Sequence, residues 1–438
     1  MAPAVPDPEQ ALPLAEAAAI DLGKGFWARA ELTARASLAL APNAVAENVL
    51  GKLAMDVGRP EIAVPAFERA LGLDSRFKPA VRNLAAARRR LEERARVPAV
   101  DQPGRADRFL LIRGWGYGFW ADVDHVIGAL LLAEITGRTP IVFWGRESLW
   151  ADVDQSAGDA GQRPSSAWEA YFEPVSPARI ADVESAAKEG GVYPPKWAPG
   201  TLREPPASRW EGAWSRVPAL RLFNRSERVV VSDFHVAVAG LLPWVPMGHR
   251  LHGADFATAH RDLFSRWLRP RSEIAGAAEA FVREHLPGAP EQALAVHIRG
   301  TDKAIESAHL ERVSEEYPRR IEAILAREPG LRIFLMTDDA GARQRLESRF
   351  GGRVVCADAA RSSGSTGVHY LKHESRTRLG IEVLRDVLIA ARCGRLIGLG
   401  SSNVTLAAWH MKAWPEGAVE LLDVPLHSYV SPVLFERS

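Results

Sequence analysis

Four side chains that can bind an anion or exchange a proton lie within seven residues of one another, at His297, Arg299, Asp302 and Lys303. They follow the apolar residues 294–296, which are typical of a buried strand. Ligands of open α/β sheets bind at the carboxyl ends of the strands, and a guanidinium and an ammonium there suit a nucleotide diphosphate. The alternative is a strand whose last turn simply meets water. The clustering of four such groups favours a ligand site.

A glycine-rich turn offers a second anchor for an anion. Gly116, Tyr117 and Gly118 lie between a predicted strand at 109–112 and a predicted helix at 121–135. Glycines at such a turn let backbone N–H groups approach an anion, and the helix dipole adds to the attraction. The turn matches neither the G-x-G-x-x-G fingerprint nor a P-loop, and a tight turn without a ligand would also use glycine.

Ser401 and Ser402 occupy another strand-to-helix turn with the same layout. Their hydroxyl and N–H groups could seat a phosphate, although helix capping is the simpler explanation. One helix earlier, Asp386 interrupts an apolar face. Its carboxylate could accept the N1–H and N2–H of a guanine base, or it could pair with Arg385 or Arg392.

Two D-x-D sequences resemble the metal-binding pairs of some sugar transferases. They are Asp122-Val-Asp124 and Asp152-Val-Asp154. Matches of this length are common, and the first one falls at the start of a predicted helix. Because zinc-ligand spacings of His and Cys are also missing from the sequence, we expect no metal cofactor.

The order of the predicted elements indicates an α/β protein. Strand and helix patterns alternate in two stretches, which predicts two Rossmann-like domains facing a cleft, at residues 105–262 and 263–438. Residues 150–230 are rich in Pro, Gly, Ser and Trp, and we expect long loops and short elements there.

An all-α region is predicted at residues 1–98. It carries a weak repeat of small and large residues that resembles the tetratricopeptide repeat, with Gly51 between the helices and Phe67 filling the space between repeats. A plain helical bundle is the alternative. Such a region could bind a protein partner, form a homodimer or cover an exposed sheet.

The composition is that of an ordinary globular protein. The 438 residues are 47% hydrophobic and 25% charged with a formal net charge of +1, which favours neither nucleic acid nor a membrane surface as partner. No apolar run approaches the roughly 18 to 20 residues that cross a bilayer, and the amino terminus lacks a signal-peptide pattern. We expect a cytoplasmic protein, and the abundance of alanine and arginine indicates a bacterial one.

Taken together, three separated motifs resemble the α-1,6-fucosyltransferases, a family that includes the core and the nodulation fucosyltransferases. The motifs are the segment 297–303, the Thr337-Asp338-Asp339 sequence, and Ser401-Ser402; the loop around Gly116 is also similar. The resemblance covers about residues 108–430. It implies a GT-B fold with two Rossmann-like domains, and an inverting, metal-independent transfer of fucose from GDP-fucose to a saccharide hydroxyl.

By position, the resemblance implies that His297 and Asp386 hold the guanine, and that Arg299 binds the β-phosphate with Ser402 and the backbone of Gly116. The other donor-site residues that it implies are Tyr117, Gly118, Asp302, Lys303, Asp338, Asp339 and Ser401. Arg299 and Lys303 would neutralise the charge that develops on the departing GDP, since this chemistry has no metal to do so.

The chain departs from the family pattern at two positions. Gly300 stands where the family usually has a second arginine, and the predicted base, Glu306, lies one residue earlier than the family's glutamate. Asp302 or Asp338 could replace Glu306 as the base.

Two other functions remain open on the sequence alone. The donor could be another GDP-sugar, such as GDP-mannose or a GDP-heptose, or the chain could be an inactive scaffold with the same fold. An NAD-dependent dehydrogenase is disfavoured because neither α/β stretch contains the dinucleotide fingerprint.

Overall fold

The computed structural model of the chain has two compact units. One contains the amino-terminal helices and Ala237–Ala259, and the other contains the described parts of Gln102–Val236 and His260–Pro425. The structure describes residues 8–23, 27–56, 60–95, 107–152, 166–206, 209–211, 214–223, 225–286, 288, 290–300, 309–363, 368, 371, 373 and 375–423.

Five helices of 13 to 18 residues form the amino-terminal part of the first unit, where each helix packs against the next. Their core is built largely from alanines, among which Ala30, Ala34 and Ala63 are fully buried. The all-α prediction is confirmed for this part of the chain, whereas the tetratricopeptide assignment stays a prediction. The helices are α1 (Ala11–Gly23), α2 (Trp27–Leu40), α3 (Ala44–Asp56), α4 (Pro60–Leu73) and α5 (Lys78–Ala95).

Helix α3 packs against the Phe67 ring of α4 at a glycine. A Cβ atom at Gly51 would lie 2.4 Å from Cε1 of the buried Phe67 ring. A separation this short cannot be accommodated without moving the ring or the helix, so any larger residue at this position would disturb the packing.

The second unit contains two parallel sheets. The first sheet has the order β2-β1-β4-β3 and the second has the order β7-β6-β5-β8-β9, and all the strand pairs within them are parallel. A sheet of this kind is buried on both faces, which explains the continuous apolar runs in the sequence. The strands are β1 (Phe109–Arg113), β2 (Thr139–Phe143), β3 (Val192–Tyr193), β4 (Val229–Ser232), β5 (Ala293–Ile298), β6 (Arg332–Thr337), β7 (Val354–Val355), β8 (Arg395–Gly398) and β9 (Val419–Leu421).

The predicted strand at 109–112 and the predicted helix at 121–135 are confirmed within a few residues. The segment 150–230, for which long loops and short elements were expected, contains an 11-residue helix and the two-residue strand β3. The strands β4 and β9 were not predicted. The remaining helices of the chain are α6 (Phe119–Thr136), α7 (Ile180–Gly190), α8 (Val238–Leu241), α9 (Phe256–Trp267), α10 (Ser272–His285), α11 (His309–Arg327), α12 (Ala340–Phe350), α13 (Arg376–Ala390) and α14 (Asn403–His410).

Helix α6 positions the first half of the candidate site. It follows β1 after a five-residue turn and is buried along nearly its whole length, including Asp122 and His125. It ends at Gly137, which adopts the left-handed conformation (φ 62°) and donates its N–H to carbonyls of the last turn. Within the described residues, no helix is both long enough and apolar enough to span a bilayer.

Replacing Gly51 with alanine should destabilise the helical unit, because the new methyl group overlaps the Phe67 ring. We expect the overlap to cost about 1–3 kcal/mol, less the roughly 1 kcal/mol that alanine gains in a helix interior. Urea unfolding followed by circular dichroism measures the change. In the control Gly72→Ala the methyl group meets no atom within 4 Å, so this variant should be at least as stable as the parent. Equal stability changes at the two positions would contradict the close approach.

Candidate active site

One cleft brings together residues from the second sheet and from the helix that follows β1. It is bounded by the carboxyl ends of β5 and β6, by one face of α13, and by the first residues of α6 and α14. The cleft holds about 970 Å³ of empty space, its open mouth included. The predicted site residues that line it are Gly118, His297, Arg299, Asp338 and Asp386.

The His297 imidazole is held in place by its neighbours. The ring is buried at the end of β5, with Nδ1 2.7 Å from the hydroxyl of Thr405 on α14. The Tyr317 hydroxyl donates to the carbonyl of His297 over 2.7 Å, which fixes the backbone at the same point. The ring is therefore oriented before any ligand arrives, as a preformed recognition site requires.

Gly300 allows the ends of β5 and β6 to come close together. Its N–H donates to Oδ1 of Asp338 over 3.3 Å, and a Cβ atom at this position would lie 2.5 Å from the Cβ of Asp339. The arginine that the related motif carries here would therefore need a different backbone path. Asp339 itself caps α12, since its Oδ1 accepts the N–H of Gly341 over 2.7 Å.

Asp386 presents a carboxylate from α13 to the cleft. Burial raises its pKa to about 6, while the charge and hydrogen bond of Arg385, 3.2 Å away, act in the opposite direction. The pairing with Arg385 that the sequence left open is thus present, and Asp386 lines the cleft as well. At neutral pH the carboxylate is ionised and can accept hydrogen bonds from a bound base.

Glu382, one turn before Asp386, is a cleft residue that sequence reasoning missed. It accepts the N–H of Ala360 over 2.9 Å and the Nε–H of Arg378 over 2.9 Å. These bonds hold the segment after β7 against α13, so that Ala359 and Ala360 form part of the cleft wall. The i, i+4 spacing of Arg378 and Glu382 is visible in the sequence and indicates an ion pair on the helix. The contact of Glu382 to Ala360 joins residues 22 positions apart and has no such pattern.

The glycine turn is bound internally by Asp122. The N–H of Gly116 lies 2.9 and 3.2 Å from the two carboxylate oxygens, and the N–H of Tyr117 lies 3.1 Å from Oδ1. Gly116 has φ of 94°, a conformation that favours glycine. Burial raises the pKa of Asp122 to about 7, against the two backbone hydrogen bonds. Of the three predicted turn residues, Gly118 lines the cleft, whereas Tyr117 is half exposed and Gly116 faces Asp122.

Ser402 is fully buried at the start of α14, and its hydroxyl has no hydrogen-bond partner among the described residues. Its neighbour Asn403 lines the cleft. The N–H of Ser401 donates to Asp423 over 3.0 Å. The other predicted site residues, Asp302, Lys303 and Glu306, lie outside the described residues.

A carboxylate held between two imidazoles was not anticipated from the sequence. Asp124 on α6 lies 3.0 Å from Nε2 of His235 and 3.1 Å from Nε2 of His260. Although burial acts to raise it, the hydrogen bonds from both histidines hold the pKa of Asp124 well below its usual range. Both histidines are more than 100 positions from Asp124 in sequence, so no local pattern could reveal the contact.

The two D-x-D sequences serve internal contacts where they are described. Asp122 binds the glycine turn and Asp124 binds the two histidines. Asp152 accepts the Ser375 hydroxyl over 2.8 Å and binds the N–H groups that open α13. No group of three His, Cys, Asp or Glu side chains in the described part of the chain is arranged to hold a metal ion.

Comparison with known proteins gives matches at the level of structure alone. No family model and no curated protein matches the chain. The fucosyltransferase NodZ from Bradyrhizobium is 22% identical, over 69% of this chain and 92% of NodZ, with a TM-score of 0.44. A mutant of FUT1 from Arabidopsis thaliana, solved with GDP, is 12% identical over 73% of this chain and 74% of its own, with a TM-score of 0.43.

POFUT1 in complex with GDP-fucose is 12% identical over 74% of this chain and 99% of its own, with a TM-score of 0.40. The chain is thus similar to fucosyltransferases of known structure, the group that its motifs resemble.

Replacing Asp122 with asparagine or with alanine distinguishes the effect of its charge from the effect of its hydrogen bonds. Folding raises the pKa of Asp122 from 3.8 to about 7, so ionisation of this carboxyl group favours the unfolded chain. The stability that the neutral carboxyl group provides is therefore lost as the pH rises through about 7. The amide of Asp122→Asn keeps an acceptor oxygen but does not titrate, so we expect this variant to lose less stability than the parent between pH 5 and 8. Asp122→Ala leaves two N–H groups unpaired and should cost about 1–3 kcal/mol.

Thermal unfolding midpoints of the three proteins, measured from pH 5 to 8, test this expectation. A parent protein and an asparagine variant with the same pH dependence would show that Asp122 does not titrate in this range.

Proposed function

We propose that the chain is a glycosyltransferase that transfers fucose from GDP-fucose to a saccharide hydroxyl, with inversion and without a metal ion. The observation that carries the proposal is the convergence of His297, Arg299, Asp338 and Asp386 on one cleft. These residues come from three elements that are far apart in sequence. Their chemistry matches the parts of a guanine nucleotide-sugar.

The guanine base is assigned to His297 and Asp386. An ionised carboxylate accepts the N1–H and N2–H of guanine together, a pattern that uracil and adenine cannot offer. The apolar side chains of Leu379 and Val383 line the same part of α13 and would contact the faces of the base. Recognition of guanine rather than another base follows from this pairing.

The diphosphate is assigned to Arg299, with help from the start of α14. Cleavage of the sugar–phosphate bond leaves negative charge on GDP, and a guanidinium can bind two phosphate oxygens at once. The buried hydroxyl of Ser402 and the N-terminal N–H groups of α14 are suited to the same anion. Lys303 is proposed to share this role.

The glycine turn is proposed to border the donor rather than to bind phosphate through Gly116. Since the N–H of Gly116 already donates to Asp122, Gly118 is the turn residue that faces the cleft. Asp338 is proposed to contact the sugar. A carboxylate, which we propose to be Glu306, takes the proton of the acceptor hydroxyl as that oxygen attacks the anomeric carbon from the side opposite GDP.

Replacing Arg299 with alanine should lower the turnover of GDP-fucose by about 10²–10³-fold, because the charge on the departing GDP loses its main counter-charge. The measurement is slow GDP release from GDP-fucose, with UDP-sugars in parallel, and then transfer after saccharides are added. Arg319→Ala, which removes an exposed arginine on α11, is the control and should retain full activity. Equal hydrolysis of GDP- and UDP-sugars, or full activity of Arg299→Ala, would overturn the proposal.

Replacing Asp386 with asparagine should change which base the cleft prefers. The amide offers N–H donors where guanine also presents donors, so GDP affinity should fall by tenfold or more, the factor that corresponds to about 1.4 kcal/mol. Xanthosine diphosphate carries a carbonyl in place of the 2-amino group, and its affinity should rise. Titration calorimetry with both nucleotides measures the switch, and a gain of affinity for xanthosine diphosphate shows that the variant is folded.

The parent protein should also bind GDP-fucose more weakly below about pH 6, as Asp386 becomes protonated. GDP-fucose is the suitable ligand because its esterified diphosphate does not titrate near this pH. If Asp386→Asn bound GDP as tightly as the parent, the guanine assignment would be wrong.

A further inference from the structure

The charged groups at the carboxyl edge of the first sheet are buried in pairs. Arg113, the last residue of β1, lies 2.6 Å from Glu147 after β2, and both side chains are almost fully buried. After β4, Asp233 pairs with Lys196 over 2.6 Å and with Arg209 over 3.4 Å, again with all three side chains buried. This is the edge at which an α/β sheet binds its ligand. A ligand in solution cannot reach these charges.

Two tryptophans are exposed at the same edge. Trp210 is 46% exposed and Trp214 is 36% exposed. The Arg209 guanidinium lies 4.3 Å from the Trp210 ring centroid, and Trp214 contacts the Tyr193 ring at the end of β3 edge-to-face, with centroids 5.8 Å apart. Tryptophan is enriched at binding interfaces because its ring is largely apolar while its N–H can stay in water.

Lys196 ties the two tryptophan segments together. Its ammonium donates to the carbonyls of Arg209 (3.3 Å) and Ser215 (3.4 Å), which are the chain neighbours of Trp210 and Trp214, in addition to its ion pair. A single buried cation therefore holds both indoles near the ends of β3 and β4. The ammonium has no further proton to donate to a ligand.

Arg209 fixes the same surface to the glycine turn. It donates to the carbonyl of Gly114, two residues before Gly116, and to the carbonyl of Asp233 over 2.8 Å. Trp210 thus stacks on a guanidinium that is itself held at the end of β4 and at the turn leading into α6. An aromatic surface fixed in this way loses little entropy on binding.

We propose that Trp210 and Trp214 form the binding surface for the acceptor and that this acceptor is a neutral saccharide, an inference that rests on the proposed transferase function. The electron-rich face of an indole attracts the weakly positive C–H groups of a sugar ring. Because the charges beneath the indoles are buried and already paired, they offer no ion pair to a carboxylate or sulfate on the ligand. Stacking, rather than ion pairing, therefore selects the ligand.

The test is binding of the full-length protein to a panel of immobilised neutral and anionic oligosaccharides. We expect the parent to bind neutral saccharides, and Trp210→Ala and Trp214→Ala each to weaken that binding by roughly tenfold, the factor that corresponds to about 1.4 kcal/mol of lost stacking. Trp210→Phe should retain part of the affinity. The control is Met247→Ala, which removes an apolar side chain that is 87% exposed and should have no effect.

GDP affinity, measured for each variant, should be unchanged because the tryptophans lie outside the nucleotide cleft, and the thermal unfolding transition of each variant shows that it is folded. The proposal is overturned if no neutral saccharide binds, if only anionic ones bind, or if both tryptophan variants bind like the parent. A protein that binds saccharides but not GDP would overturn the transferase function, whereas the assignment of saccharide binding to the two tryptophans would still hold. A protein that binds GDP but fails the saccharide test would overturn only the surface.

Discussion

The register between β5 and β6 is the constraint on which the cleft depends. The parallel pairing places Ile298 beside Thr337, so the chain positions that follow, Arg299 and Asp338, leave the sheet side by side. Gly300 then lets the ends of β5 and β6 lie closer together than a residue with a side chain would allow. A shift of one residue would send His297 to the opposite face of the sheet and away from Thr405. The nucleotide proposal therefore rests first on backbone pairing and only then on side-chain chemistry.

Buried carboxylates organise the rest of the unit in different ways. Asp122 binds backbone N–H groups and has a raised pKa, whereas Asp124, two residues later on α6, is stabilised in its ionised form by two histidines. Asp386 combines a raised pKa with access to the cleft. Burial is common to all three, and the partners of each carboxylate decide whether it supports the fold or is available to a ligand.

The sequence predicted the parts of this architecture that depend on local pattern. Continuous apolar runs located the strands β1, β2, β5, β6 and β8, and the polar residues that end β5 located the cleft. Helix α7 was missed because prolines and glycines surround it, and β3 because a two-residue strand has no periodicity. The Asp122 contact to the glycine turn, the pairing of Asp124 with distant histidines and the role of Lys196 arise from tertiary packing, which a local pattern does not encode.

The central claim is that a guanine nucleotide binds between α13 and the end of β5, with its diphosphate on Arg299. A crystal structure of the protein with GDP tests this most directly. The account predicts the guanine N1–H and N2–H on the carboxylate of Asp386, the imidazole of His297 beside the base, and the β-phosphate within hydrogen-bond distance of the Arg299 guanidinium. Nucleotide bound elsewhere on the protein, or a cleft without nucleotide in crystals grown at saturating GDP, would contradict it.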